Sequence, residues 1–187
     1  MPPDAPPPVS GAVALVSEDW EPVVSSRFGV EVPLPQRSSW LVNDKAQPWL
    51  VAQHAPSRSE LRIRVWRQPR PVRLTDCEDQ VDLWRPEFQA TTEDSELERS
   101  PWVPDAQFRG TVRTVVTRLD SGRVEGRLRA VAASPNRCLS LLYRTQVAGQ
   151  GGEAIVGDNL AIIAAGVASR IQLRSIDDVG SATREGL

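Results

Sequence analysis

Apolar and polar positions alternate through much of this chain, and changes in the period of that alternation mark its elements. Residues 28–35, FGVEVPLP, put Phe28, Val30, Val32 and Leu34 on one side, the period of a half-buried strand. Pro33 has no amide proton to give to a ladder, which assigns that strand to an edge. WLVAQHAP (49–56) and ELRIRVWRQ (60–68) are strand runs joined by the short link PSRS, hence a hairpin. From Thr75 the period lengthens to that of a helix. Thr75 and Glu78 have capping-box spacing, Cys77, Val81, Trp84 and Phe88 share one stripe, and Pro86 ends or kinks the helix. Residues 89–105 are acidic and broken by proline, which reads as an exposed loop with Trp102 folded back onto the body. Three long strand runs follow, 109–119, 123–134 and 138–149, whose tight links DSG and PN predict an antiparallel meander. The last apolar stretch, 153–173, carries Val156, Leu160, Ile163, Val167 and Ile171 on one stripe and is apolar nearly all round, the pattern of a deeply packed helix.

This order predicts an α+β fold: an antiparallel β-sheet with a three-stranded C-terminal meander, covered by two main helices. A chain of 187 residues suits one domain, assigned to residues 20–174. Residues 1–19 form a flexible proline-rich segment, with PPDAPPP favouring an extended polyproline-like linker, and residues 175–187 form a polar tail. No internal repeat is present. The run FGVEVPLPQRSSW, the hairpin after it, the mid-chain helix, the meander and the closing apolar helix together resemble the PsbP-like α/β/α sandwich. Members of that family are often lipoproteins or accessory subunits of the bacterial envelope or thylakoid lumen, or chaperone-like adaptors for secreted proteins. They have no shared catalytic residues to carry over, so the resemblance implies a fold and a non-enzymatic accessory role.

Composition narrows the function classes. A formal charge of −2 gives no general basic field for nucleic acid. The positive charge is almost all arginine, Lys45 being the one lysine. The segment 153–173 is interrupted by Asp158, Asn159 and Arg170, so it does not span a bilayer. MPPDAPPPVSGAV has neither the basic end nor the apolar stretch of a signal peptide, yet a proline-rich run is also what tethers a processed envelope protein. Export, with peripheral or lipid-anchored membrane association, and a cytoplasmic location both stay open.

Candidate chemistry is sparse. Cys77 and Cys138 either form one bridge, closing a loop of about 60 residues and stabilising by about 4 kcal/mol in an oxidising compartment, or are two buried thiols. Cys77 in a first helical turn could also be a reactive thiolate with His54, the one histidine, as its base. One histidine and two cysteines serve zinc poorly, and Glu93, Asp94, Glu96 and Glu98 lack the spacing and turn glycine of a calcium loop. GQGGEA (149–154) satisfies G-x-G-x-x-A between a strand and a helix, so Gly149, Gly151 and Gly152 could cradle a nucleotide phosphate. An antiparallel strand before it and too few residues after it favour a simple turn.

The last candidate is arginine placement. Arg62 and Arg64 share a strand face with Trp66, Arg123, Arg127 and Arg129 share another, and Arg113 and Arg144 lie on neighbouring strands. Aligned, they would offer an anion- or partner-binding surface, unless Glu31 and Glu125 neutralise it. The leading expectation is a non-enzymatic protein-binding or accessory module of the periplasm or cell envelope. It would use no cofactor and have another protein as partner. The alternatives are a cytosolic adaptor or chaperone-like protein, and a small-anion or nucleotide binder using the Gly149–Ala154 turn.

Overall fold

The computed structural model describes residues 13–45, 48–119 and 122–174. In chain order these form β1 (Glu21–Ser25), β2 (Val30–Leu34), β3 (Trp40–Asn43), β4 (Leu50–His54), β5 (Ser59–Arg67), α1 (Leu74–Trp84), β6 (Ser95–Trp102), β7 (Arg109–Arg118), β8 (Arg123–Ser134), β9 (Arg137–Ala148), α2 (Gly152–Ile162) and β10 (Gln172–Leu173). Seven strands make one antiparallel sheet in the order β3-β4-β5-β9-β8-β7-β6, and β1, β2 and β10 make a small second sheet. The fold is α+β. The hairpin and the meander are joined because β9 pairs along all of β5, Ser59 opposite Thr145 through Arg67 opposite Arg137. Helix α1 carries the chain over one face from β5, in the middle of the sheet, to β6 at its far edge.

Alternation along the long central strands sorts their side chains onto two faces. Leu61 and Ile63 of β5, Leu128, Ala130 and Ala132 of β8, and Leu139, Leu141 and Tyr143 of β9 pack with Val156, Leu160 and Ile163, and with Val30, Val32 and Leu34 of the small sheet. On the other face Val131, Cys138 and Leu142 pack with Cys77 and Val81 of α1, with Phe88 and with Trp49. The seven-stranded sheet is thus a shared wall between two cores.

Several local expectations are corrected. Helix α1 starts at Leu74, and its N-cap is Arg73, two residues before the proposed cap Thr75; the Asp76 carboxylate accepts the Arg73 backbone N–H at 2.7 Å. Glu78 is drawn instead towards Arg129. Phe88 lies in the 3-10 turn Pro86–Phe88 after the helix rather than on its stripe, though it is buried. The acidic stretch 89–105 contains an edge strand, β6, paired antiparallel to β7 with a register shift between Glu96 and Glu98. Its charged, almost wholly exposed side chains hide the period-two signal, and charge, bulge and Pro101 are devices by which sheet edges avoid further pairing. Strand β2 is the middle of its small sheet, not an edge: Pro33 lies opposite Pro22 of β1, and β10 pairs only with Val30 and Glu31, leaving Pro33 beyond its reach.

The closing helix is also shorter than 153–173. It loosens into a π-helical turn, Ile163–Ala168, and ends before Ile171, which stays buried in the turn leading to β10. The Trp20 ring fills the space where a side chain on Gly166 would sit. Packing extends ahead of Trp20: Leu15 is buried, with its N–H on Asn159 Oδ1 at 2.8 Å, and Val13 N–H reaches the Pro56 carbonyl at 2.9 Å. The expected polyproline run at residues 2–8 and the polar tail lie outside the described residues.

Candidate functional site

Register decides whether the arginines share a surface, and it brings them together on the face covered in part by α1. Strand pairing sets Arg62, Leu142, Arg129 and Arg113 in one row across β5, β9, β8 and β7. Glu60, Arg144, Arg127 and Val115 form the next row, and Arg64, Ser140, Val131 and Thr111 the row on the other side. Trp66 stands two residues beyond Arg64, opposite Cys138.

Most of this positive charge is consumed internally. Arg62 Nε meets Glu60 at 2.6 Å, Arg129 meets Asp82 of α1 at 2.8 Å, and Arg144 meets Glu125 at 2.6 Å. Arg113 pairs with Glu96 of β6. Arg127, almost fully buried, donates to Asp94, to the Thr117 hydroxyl and to the Gln89 carbonyl, with Glu125 at 3.4 Å. Asp94 belongs to the acidic group weighed for calcium; its carboxylate is sealed against Arg127, and that of Glu96, though exposed, is paired with Arg113 and Arg99. Burial raises the Asp94 pKa, but the Thr117 hydroxyl, the Thr91 N–H and the Arg127 charge outweigh it and hold the group below its usual value. Glu31, the other suggested neutraliser, lies in the small sheet and pairs with Arg174. Arg85, which sequence reasoning did not single out, joins this face and meets Glu87 at 2.6 Å.

Arg64 is treated differently. Among the described residues it has no carboxylate or hydrogen-bond partner, and indoles surround it. Its guanidinium carbon lies 3.8 Å from the Trp84 ring centroid, 5.8 Å from that of Trp49 and 6.0 Å from that of Trp66. Trp84 stands edge-on to both other rings, at 5.0 Å from Trp66 and 6.2 Å from Trp49. Strand β5 supplies Arg64 and Trp66, the residue just before β4 supplies Trp49, and the last turn of α1 supplies Trp84. The Trp66 indole N–H donates to Gln80 of α1, whose carbonyl also accepts Gln68 Nε2 at 2.7 Å, so helix and sheet hold the rings in place. Burial lowers the Arg64 pKa from its usual value. Arg64 nonetheless has no nitrogen sealed from solvent, unlike Arg85, Arg127 and Arg129, each with a buried Nε that makes no hydrogen bond.

The remaining candidates fall elsewhere. Cys77 and Cys138 are joined by a disulfide, with Cα atoms 5.7 Å apart and both residues fully buried. His54 lies on the opposite sheet face, so a Cys77–His54 dyad does not form. His54 heads a buried polar chain: Nδ1 to Ser57 Oγ at 2.7 Å, Ser57 Oγ to Ser59 Oγ at 2.7 Å, Ser59 Oγ to Tyr143 Oη at 2.7 Å. Burial lowers the His54 pKa and raises that of Tyr143 well above the usual phenol value, the Ser59 and Thr145 hydrogen bonds offsetting only part of it. With Ser57 fully buried, the chain satisfies interior polar groups. Gly149 and Gly151, both at positive φ, turn the chain from β9 into α2, and Glu153 in the first helical turn meets Arg118 across the turn. Among the described residues every strand pairing is antiparallel, unlike the parallel sheet of a dinucleotide fold. Among the described residues no cluster of three metal-binding side chains occurs, and no helix is long and apolar enough to cross a membrane.

No family model matches the chain, and none of the curated proteins compared with it is similar. Solved structures do resemble it. One is a protein from Bacteroides thetaiotaomicron, with a TM-score of 0.45 and 9% identity over 86% of this chain; the chain spans 50% of that protein's length. Another is LpqN of Mycobacterium tuberculosis, involved in cell envelope biogenesis, with a TM-score of 0.49 and 10% identity over 84% of this chain and 91% of the other.

Proposed function

We propose that this protein is a non-enzymatic accessory module of the periplasm or cell envelope, of PsbP-like type, that binds another protein through the arginine- and tryptophan-bearing face beside α1. The observation that carries the compartment is the buried Cys77–Cys138 disulfide, which ties α1 to the central strand β9. Structural disulfides persist in oxidising compartments and are rare where glutathione and thioredoxin keep thiols reduced. The binding role is supported by a rigid face that unites charge and three indoles. A proline-rich run ahead of the packed body suits a tether, with peripheral or lipid-anchored attachment.

The test is to alkylate free thiols at the moment of cell lysis, then fractionate the cells and weigh the protein by mass spectrometry. The expected result is an unalkylated protein in the envelope fraction. Two alkylated cysteines on protein from the cytosolic fraction would overturn the reading in favour of a cytosolic adaptor.

A further inference from the structure

The α1 face is a field of arginines in which Arg62, Arg85, Arg113, Arg127, Arg129 and Arg144 each meet a carboxylate. Arg64 alone among these neighbours does not, and its place is defined by Trp49, Trp66 and Trp84. An arginine stacked on an indole uses its flat face for the ring and keeps the N–H edge of its fork for a planar acceptor. The same row leaves a second group unanswered: Ser140 Oγ, on the strand beside Arg64, is fully buried and has no hydrogen-bond partner.

We infer that Arg64, walled by Trp49, Trp66 and Trp84, is the docking site for a carboxylate of a partner polypeptide, carried beside an aromatic or large apolar side chain. This deepens, and rests on, the protein-binding reading above. A carboxylate matches the guanidinium edge as a bidentate acceptor and brings one charge to one unpaired cation. Phosphate would bring nearly two, with no second unpaired cation among the described residues of this row, and would press that charge against indole faces that are themselves electron-rich. Those rings instead favour an aromatic or aliphatic neighbour, and tryptophan and arginine together are the residues that dominate protein–protein hot spots.

The six tryptophans provide a built-in control. Trp49, Trp66 and Trp84 lie on the α1 face, whereas Trp20, Trp40 and Trp102 pack into the opposite core. The experiment titrates the full 15N-labelled chain with acetyl-Gly-Trp-Glu-Gly-amide, with the same peptide carrying Gln for Glu, and with inorganic phosphate, following the indole N–H signals. The expected result is a saturable shift of the Trp49, Trp66 and Trp84 signals with the Glu peptide, weaker by about tenfold or more with the Gln peptide, as loss of a charge-assisted pair dictates. Arg64→Gln should abolish the shift while the other three signals stay in place, and Arg64→Lys should recover only part of it.

Equal affinity for the Glu and Gln peptides, phosphate binding as tightly as the Glu peptide, or no shift up to about 10 mM peptide would overturn the proposal. Should Arg64→Gln disturb the Trp20, Trp40 and Trp102 signals, the comparison of Glu and Gln peptides on the unaltered chain decides. Failure here with a protein oxidised in the envelope removes this site only. Binding by a protein found reduced in the cytosol removes the compartment only.

Discussion

Arg127 and Asp94 form a nearly sealed pair, their side chains 7% and 0% exposed, and the Arg127 side chain links β8 to the chain just after α1 and to β7. Removing one partner strands the other charge in the interior, so Arg127→Met should destabilise the protein by about 3–5 kcal/mol in urea unfolding. Adding Asp94→Asn should recover a large part of that loss; no recovery would mean the pair is not what holds the segment. His54 makes the second residue-scale prediction. Its depressed pKa means the folded state resists a proton that the unfolded chain accepts near the ordinary value of 6.5. Its contribution is therefore intact above 6.5 and lost as pH falls below it. Urea unfolding at pH 7.5 and 5.5 should show a smaller decline for His54→Gln than for the parent; equal declines would assign the slope to carboxylates. At this scale the sequence was partly legible. Side-chain parity correctly grouped Arg62, Arg64 and Trp66, but which arginines are answered by acids depends on Asp94, Glu96 and Asp82, brought close only by folding.

Helix α1 is pinned at several points: the disulfide at Cys77, Gln80 on Trp66, and Asp82 on Arg129. The disulfide closes a separation of 61 residues, and in the chain-entropy model its loss costs about 4 kcal/mol. Mild reduction should therefore raise hydrogen exchange first in α1, while β8 and β9, paired along both edges, stay protected; uniform loosening would argue against a locally tethered helix. Strand β6 is the other informative element. Glu98→Val with Pro101→Val removes two of its edge defences, so the variant should self-associate in light scattering while the parent does not under the same conditions. The long strands of the meander were legible because each carries a full period-two pattern bounded by turn residues. Edge strand β6 was not, since an exposed strand has no apolar face to show. The early end of α2 was hidden too: its apolar stripe continues to Ile171, but the backbone leaves the helix to form β10.

The whole molecule has two cores separated by one sheet, and their independence can be measured. Val81 packs only on the α1 side and Leu160 only on the α2 side. Leu160→Ala should cost about 2–5 kcal/mol and Val81→Ala less, and the double variant should equal their sum to within about 0.5 kcal/mol. A larger departure in urea unfolding would show that strain passes through the sheet. The amino-acid sequence by itself determined the class of fold, the hairpin, the meander, the two helices and which side chains of a single strand share a side. These follow from local periodicity, which neighbouring residues encode without reference to the rest of the chain. Tertiary structure alone decided the joining of β5 to β9, the small second sheet, the closure of Cys77 on Cys138, and the selection of Arg64 as an arginine left to tryptophans rather than acids. Each of those depends on strands or helices distant in sequence coming into register, and register is settled by packing of the assembled core, not by any single segment.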